Sequence, residues 1–335
     1  MTWQERLTRL EAFLHRFPWL LPAISFAGGW LGFIMVQRGA NAAQIIAMLA
    51  IVGWLWLLIE PLLRRRLERS RPGIGNLFVN FISQSLQQEL LFFSLPLIIG
   101  AMQIDVGQIV FATLVGAAAL VTTLDPIYER YIATRAARRL LFHAYCSWIA
   151  ALVVLPIVVG LPLEKALPLS LAAVGAWVLL TMPLSWKSLQ TGKQKAIWLA
   201  ALVLSPLLVW ALRGHVPAAG LAVTQAHITR SIDELTPGPS VTTLSSSELA
   251  NGVVAFAAIR APTGLAQSVV FEWRHGEYSE RITEEIHGGS RDGWRTYSRK
   301  QVFPEASGGR WTVEVLTPQG QLLKRMGFTV IPTSP

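Results

Sequence analysis

Hydrophobic residues follow two periodicities in this chain, and the change between them falls just after Trp210. Before it, seven apolar stretches occur at about 18–36, 43–63, 77–101, 107–124, 140–160, 166–184 and 196–212, each near the length a bilayer requires. Ahead of them, Trp3, Leu7, Leu10, Leu14 and Phe17 recur at alternating steps of four and three, so residues 2–17 predict an amphipathic helix. Thr2 and Glu5 have capping-box spacing, and Arg6, Arg9 and Arg16 flank the apolar stripe. This helix suits either the membrane interface or the cytoplasmic end of a bundle. It does not read as a cleaved signal peptide, because the apolar run behind it is too long and no small-residue cleavage site follows.

After a linker at 214–220 the apolar positions alternate with period two. Strands are predicted at about 221–229, 252–259, 267–274, 279–286, 293–300, 310–316 and 321–331. Turn signals separate them, among them Pro237-Gly238-Pro239, Asn251-Gly252, His275-Gly276, Gly308-Gly309 and Pro318-Gln319-Gly320. Val269, Phe271 and Trp273 take one face and Val270, Glu272 and Arg274 the other; Trp311, Val313 and Val315 oppose Thr312 and Glu314. Seven strands over residues 221–335 predict an immunoglobulin-like sandwich. The alternation puts Glu284 on the face of Ile282 and Ile286, and a β-bulge is the expected repair.

Composition agrees with this division. Of 335 residues, 52% are hydrophobic and 15% charged, which excludes both a disordered chain and a single soluble globule. The mean hydropathy is +0.44. Residues 1–220 carry 18 Lys/Arg against 9 Asp/Glu, whereas 221–335 carry 11 of each. The excess is confined to alternate loops. One set holds Arg6, Arg9, Arg16, Arg64, Arg65, Arg66, Arg69, Arg71, Arg130, Arg135, Arg138, Arg139, Lys187, Lys193 and Lys195; the other holds only Arg38 and Lys165. This bias places the N-terminus in the cytoplasm and, after seven crossings, the C-terminal domain on the periplasmic side of a bacterial inner membrane. It also accounts for the pI of 10.2 without a nucleic-acid partner. Trp19, Trp186 and Trp210 fit an interfacial belt. Cys146 is the one cysteine and lies in an apolar run, so no intramolecular disulfide forms.

Polar groups inside the apolar stretches each need a partner. The third stretch holds Asn80, Gln84, Gln87, Gln88 and Glu89. Asn80, Gln84 and Gln87 share a helix face, while Glu89 points nearly opposite Asn80. Three readings stay open: the amides and the carboxylate bond neighbouring helices; residues 74–89 lie in the interface and the crossing starts near Leu90; or Glu89 lines a substrate, proton or lipid path. Asp125 and Pro126 read as N-cap and first helical residue. His143 and Tyr145 lie near the same membrane face, as a hydrogen-bonded interface or as a site with Asp125. Pro96, Pro156, Pro183 and Pro206 interrupt four stretches; such kinks are tolerated where neighbours satisfy the freed carbonyls.

No catalytic signature stands out. His227, His275 and His287 lack metal-ligand spacing, Ser298 has no His/Asp companion in its motif, and GxSxG, HExxH, Walker and GxGxxG patterns are missing. No metal and no cofactor are therefore expected, and no oligomeric state is fixed. Trp294, Arg295, Tyr297, Arg299 and Lys300 form the candidate contact surface, since aromatics with arginine suit sugars, anionic polymers or a protein. The alternative is a core Trp294 with its cations on a solvated strand face.

The runs Val269–His275, Gly293–Lys300 and Gly309–Val315, with the closing Gly320 and Phe328-Thr329-Val330, resemble a bacterial domain of unknown function that often ends multi-helix inner-membrane proteins. The stretch Gln88-Glu89-Leu90-Leu91-Phe92-Phe93, with Leu95-Pro96, resembles the membrane half of the same uncharacterised family. The resemblance implies this architecture and no activity. The expected function is non-enzymatic: a bilayer-anchored sandwich that binds an envelope protein or glycan. The rivals are a transporter or membrane enzyme using Glu89, with Gln84 and Gln88, and a structural subunit of a larger complex.

The topology has a direct test. In a Cys146→Ala background, Glu277→Cys should react with a membrane-impermeant maleimide on spheroplasts, and Arg66→Cys only after permeabilisation.

Overall fold

The computed structural model describes residues 74–331 except 159–160, 187–188, 263 and 291, together with isolated earlier positions. The expected helix at 2–17 and crossings at 18–36 and 43–63 lie outside the described residues, apart from single positions such as Phe17 and Glu60.

The described helical part contains five long helices: α1 (Ile74–Ala101), α2 (Val106–Thr123), α3 (Ala136–Val158), α4 (Leu163–Trp186) and α5 (Gly192–Ala211). They coincide with the five expected stretches from 77 onward, with ends moved by a few residues. Asp105 caps α2: its Oδ2 accepts the backbone N–H of Gly107 at 3.0 Å and of Gln108 at 3.4 Å. At Asp125-Pro126 the chain begins a one-turn helix, Asp125–Ile127, which runs into a π-helix at Tyr128–Ala133. Pro96, Pro156 and Pro206 lie inside α1, α3 and α5.

Four of these helices, α2 to α5, are long and apolar enough to cross a membrane. Helix α1 is not among them, because its amides and Glu89 lower the hydropathy of a segment that is otherwise long enough. Burial differs sharply between spans. In α3, 67% of the apolar window is buried, against 6% in α5, where Ile197, Val203, Leu204, Leu207 and Leu208 are exposed. A helix that is apolar along its length and buries so little of it suits an apolar solvent.

The chain divides into two compact units. One contains most of the helical part. The other contains the β domain with the connecting segments Ile98–Phe111 and Leu155–Leu169 and the end of α5 from Ser205.

Within the β domain the strands are β1 (Ala222–Thr229), β2 (Ile232–Asp233), β3 (Thr236–Pro237), β4 (Thr243–Ser245), β5 (Val253–Arg260), β6 (Ala266–His275), β7 (Tyr278–His287), β8 (Trp294–Lys300), β9 (Gly309–Leu316) and β10 (Leu322–Ile331). All seven expected strands are present within two residues of their expected ends. The additions are β2, β3, β4 and the short helix Ser246–Leu249, which opens with a Ser245/Glu248 capping box. One sheet has the order β1-β5-β8 and the other β4-β10-β9-β6-β7; β2 and β3 form a separate hairpin. The two larger sheets share a single apolar core. Ile228, Val253, Ala255, Ala257 and Ile259 from the first meet Val269, Phe271, Trp273, Trp311, Val313, Val315, Phe328 and Val330 from the second. These are the residues that period two puts on one face. Strand β5 is buried on both faces and runs through the centre of its sheet.

The expected bulge near Glu284 is absent. Strands β6 and β7 pair without a register shift from Ala266↔His287 to His275↔Tyr278. Glu284 keeps its place between the half-buried Ile282 and the buried Ile286. Strand β7 is the sheet edge, so a long side chain on its inner face can turn toward the rim instead of forcing the backbone to shift. Burial raises the Glu284 carboxyl pKa above its ordinary value of 4.5. Ionisation of Glu284 therefore opposes folding once the pH exceeds that of the unfolded carboxyl. Glu284→Gln should raise the melting temperature of the full chain at pH 8 and leave it nearly unchanged at pH 4, where both forms are neutral.

Candidate functional site

The polar residues of the helical unit converge on one chain of hydrogen bonds. Gln87 in α1 donates from Nε2 to Nδ1 of His143 in α3 and accepts at Oε1 from the Tyr128 hydroxyl at 2.9 Å. His143 Nε2 lies 3.2 Å from Oε2 of Glu60. These four side chains are between 0% and 3% exposed. Trp177 of α4 packs edge-on against the His143 ring, with centroids 6.4 Å apart. One turn before Gln87, Gln84 donates to the Thr122 carbonyl of α2 at 3.0 Å. Amides of α1 thus bond neighbouring helices, the first of the three readings.

Gln88 is buried, Asn80 half-buried and Glu89 exposed. Gln87 and Glu89 are two positions apart, which places them on nearly opposite faces of a helix. Asp125 begins the one-turn helix just before Tyr128. Tyr145 is half-buried on α3, and Cys146 is fully buried as an apolar filler. Around His143 the structure brings together Glu60, Gln87 and Tyr128.

The sandwich candidates on β8 divide between its two faces. Arg295, Tyr297 and Arg299 alternate outward. Thr296, Ser298 and Lys300 alternate inward, and the Ser298 hydroxyl accepts from Trp273 Nε1 at 3.0 Å. Lys300 is 3% exposed, pairs with Glu280 and stands 4.8 Å over the Tyr278 ring. It is a core cation, not a contact residue. Trp294 is not core: it is 40% exposed and packs edge-on against His287, centroids 4.9 Å apart.

A second charged surface lies on the outer face of the larger sheet. Cross-strand register aligns Arg325 with Glu314, Glu314 with Glu272, and Glu272 with Arg281, a row across β10, β9, β6 and β7. Two carboxylates directly opposite each other repel. Arg274 resolves this by reaching Glu272 at 2.7 Å and Glu314 at 3.8 Å. Arg325 Nε binds Glu314 at 2.7 Å, and Arg281 Nε binds Glu272 at 3.1 Å. Burial pushes the Glu272 carboxyl up, but hydrogen bonds from Arg274, Arg281 and Ser279 outweigh it and hold the pKa below 4.5. The charges are layered: the side chains of Glu272 and Glu314 are 4% and 9% exposed, those of Arg274, Arg281 and Arg325 49%, 63% and 53%.

These residues line a cleft of about 280 Å³ together with Arg213, Gly214, His215 and Gly320. Arg213 is fixed by the Gln319 and Trp210 carbonyls and lies 5.2 Å over the Trp210 ring. At the rim, Asp105 accepts from Arg325 at 3.5 Å and lies 3.2 Å from His215 Nδ1. Four arginines thus line a cleft with two nearly buried carboxylates, three of them paired with those carboxylates. A guanidinium carries five donors in a fork that matches an anion in bidentate fashion. Among the described residues no group of three or more His, Cys, Asp or Glu is placed to hold a metal ion.

Sequence reasoning passes over most of these residues. Glu60, the one carboxylate inside the 43–63 stretch, was the available signal for the helical chain. The outward position of Glu272 and Arg274 was legible from alternation, but their meeting with Arg213, Arg281, Glu314 and Arg325 depends on strand order.

The search of curated proteins returns no match. The profile of a domain of unknown function (DUF2914) matches residues 266–330, which span β6 to β10 nearly completely and so contain Glu272, Arg274, Arg281, Glu314 and Arg325. The profile of a second family of unknown function (DUF5924) matches residues 1–255, about three quarters of the sequence and all of its helical part, so the chain belongs to the DUF5924 family.

Proposed function

We propose that this chain is a seven-crossing protein of a bacterial inner membrane whose immunoglobulin-like sandwich stands on the periplasmic side and recognises an anionic, phosphate-bearing component of the envelope. The helices anchor the sandwich, and no catalytic step is assigned to it. The observation that carries the reading is the layering of the cleft, with exposed arginines over buried glutamates. An arriving anion meets the exposed guanidiniums before the glutamates beneath them. The position of Arg213 directly after α5, stacked on the exposed Trp210, favours a ligand at headgroup level. The outward residues of β8 are a second, smaller basic surface and provide the control.

The test uses the detergent-solubilised full chain and native mass spectrometry, with phosphatidylglycerol and glycerol 3-phosphate as separate probes. Arg213→Gln combined with Arg281→Gln should weaken binding by about tenfold or more, since two charge-assisted contacts are lost. Both positions are chosen because Arg274 and Arg325 stay in place to neutralise the glutamates. Arg295→Gln with Arg299→Gln should leave binding unchanged. Retention of the lipid alone identifies a headgroup ligand, and retention of both probes a phosphate site. Equal loss in both double variants, or no binding of either probe, overturns the reading.

A further inference from the structure

We propose that Asp105 is a tethered competitor for the arginine cleft: its carboxylate holds Arg325 until an anionic ligand takes that guanidinium, and the exchange loosens the turn that leads into α2. This rests on the reading of the cleft as an anion site and adds its regulation.

Asp105, Arg213, His215 and the cleft residues of the larger sheet belong to one compact unit. Arg325 divides its guanidinium between two acids. Its Nε donates to Glu314 at 2.7 Å and its Nη1 to Asp105 Oδ1 at 3.5 Å. The second bond is the weaker, because 3.5 Å lies beyond the usual range for N–H to oxygen. Glu314 is the more buried acid, its side chain 9% exposed, and depends on the shorter bond. The contact with Asp105 is therefore the one an anion can replace without leaving a buried acid unpaired.

Asp105 can give up Arg325 and keep its other partners. Its Oδ2 accepts the backbone N–H of Gly107 at 3.0 Å and of Gln108 at 3.4 Å, and lies 3.2 Å from His215 Nδ1. A carboxylate only accepts, so Nδ1 donates. All three bonds fall on Oδ2, whereas Oδ1 is turned to Arg325. Burial pushes the Asp105 carboxyl up, but hydrogen bonds from His215, Gln108 and Gly107 outweigh it and hold its pKa below 3.8. Asp105 is thus an anion at neutral pH and competes as one. The local sequence makes room for this arrangement: residue 107 is glycine, and a Cβ there would overlap the His215 ring.

The turn that carries Asp105 has little packing to hold it. Ile104 is fully exposed and Val106 is 79% exposed, so neither pins the chain. A second link from this segment to β10 is Gln108, whose Nε2 donates to the Leu322 carbonyl at 2.8 Å while its Oε1 accepts the Gln103 N–H at 2.7 Å. Release of Arg325 leaves that link in place, so the turn loosens without detaching. Occupancy of the cleft is in this way passed to the start of a candidate membrane span.

The test measures phosphatidylglycerol binding to the detergent-solubilised full chain by native mass spectrometry. Asp105→Asn removes the competing charge and keeps the N-cap, because asparagine accepts the same backbone N–H groups. It should tighten binding about threefold, the scale of one partly exposed ion pair. Glu277→Gln, which removes a charge from the exposed turn between β6 and β7, should leave binding unchanged. Unaltered or weaker binding by Asp105→Asn overturns the proposal, as does equal tightening in Glu277→Gln. The wild type supplies a second measurement that no misfolded variant can mask. Saturation with phosphatidylglycerol should speed amide hydrogen exchange over residues 102–105, and unchanged or slower exchange there overturns the proposal. A wild type that binds no phosphatidylglycerol at all overturns the anion reading itself, and this proposal with it.

Discussion

Glu272 and Glu314 face each other across adjacent strands with almost no access to water, and the outer surface of the larger sheet is organised by the need to keep them there. An isolated buried carboxylate would take up a proton rather than remain charged. Here the register supplies the remedy, because Arg325 and Arg281 occupy the neighbouring positions on the flanking strands and Arg274 bridges the two acids from above. The arrangement also explains the low pKa of Glu272: three donors outweigh its burial. Removing one guanidinium would leave its carboxylate under-compensated, which is why buried pairs of this kind tolerate partner loss poorly. The same requirement that stabilises the sheet therefore generates a basic surface.

The helical unit meets the constraint differently. In the sheet the counter-charges are exposed arginines with donors to spare. Glu60 instead bonds His143, which bonds Gln87 and through it Tyr128, all as buried as the acid itself. Exposed cations over acids leave a basic surface, whereas the helical unit turns its polar groups toward one another in the interior.

This difference also explains what the sequence disclosed. Period-two alternation places Phe271 and Trp273 inward and Glu272 outward without knowledge of any partner strand, and all seven long strands follow from such local signals. The helical stretches were legible for the same reason, since length and hydropathy are properties of one segment. Glu284 marks the limit. Alternation identified its face correctly, yet the expected bulge does not form, and only the sheet order shows that β7 is an edge. Lys300 failed in the same way. Its charge suggested solvent, but the β7 neighbours Glu280 and Tyr278 draw it inside.

The candidate sites were the least legible part because each depends on residues brought together from afar. Glu60 and His143 are 83 positions apart, and Arg325 and Asp105 are 220. Polarity inside an apolar stretch nominated Glu89 together with the amides around it, yet Glu89 is exposed, while Gln87 two residues earlier is enclosed. The physical reason lies in the cost of burial. A full charge enters a protein interior only with a dedicated partner, whereas a neutral amide can enter it and bond on both sides. Gln87 does this, donating to one neighbour and accepting from another. An amide between a histidine and a tyrosine is therefore a better marker of an interior site here than the carboxylate beside it.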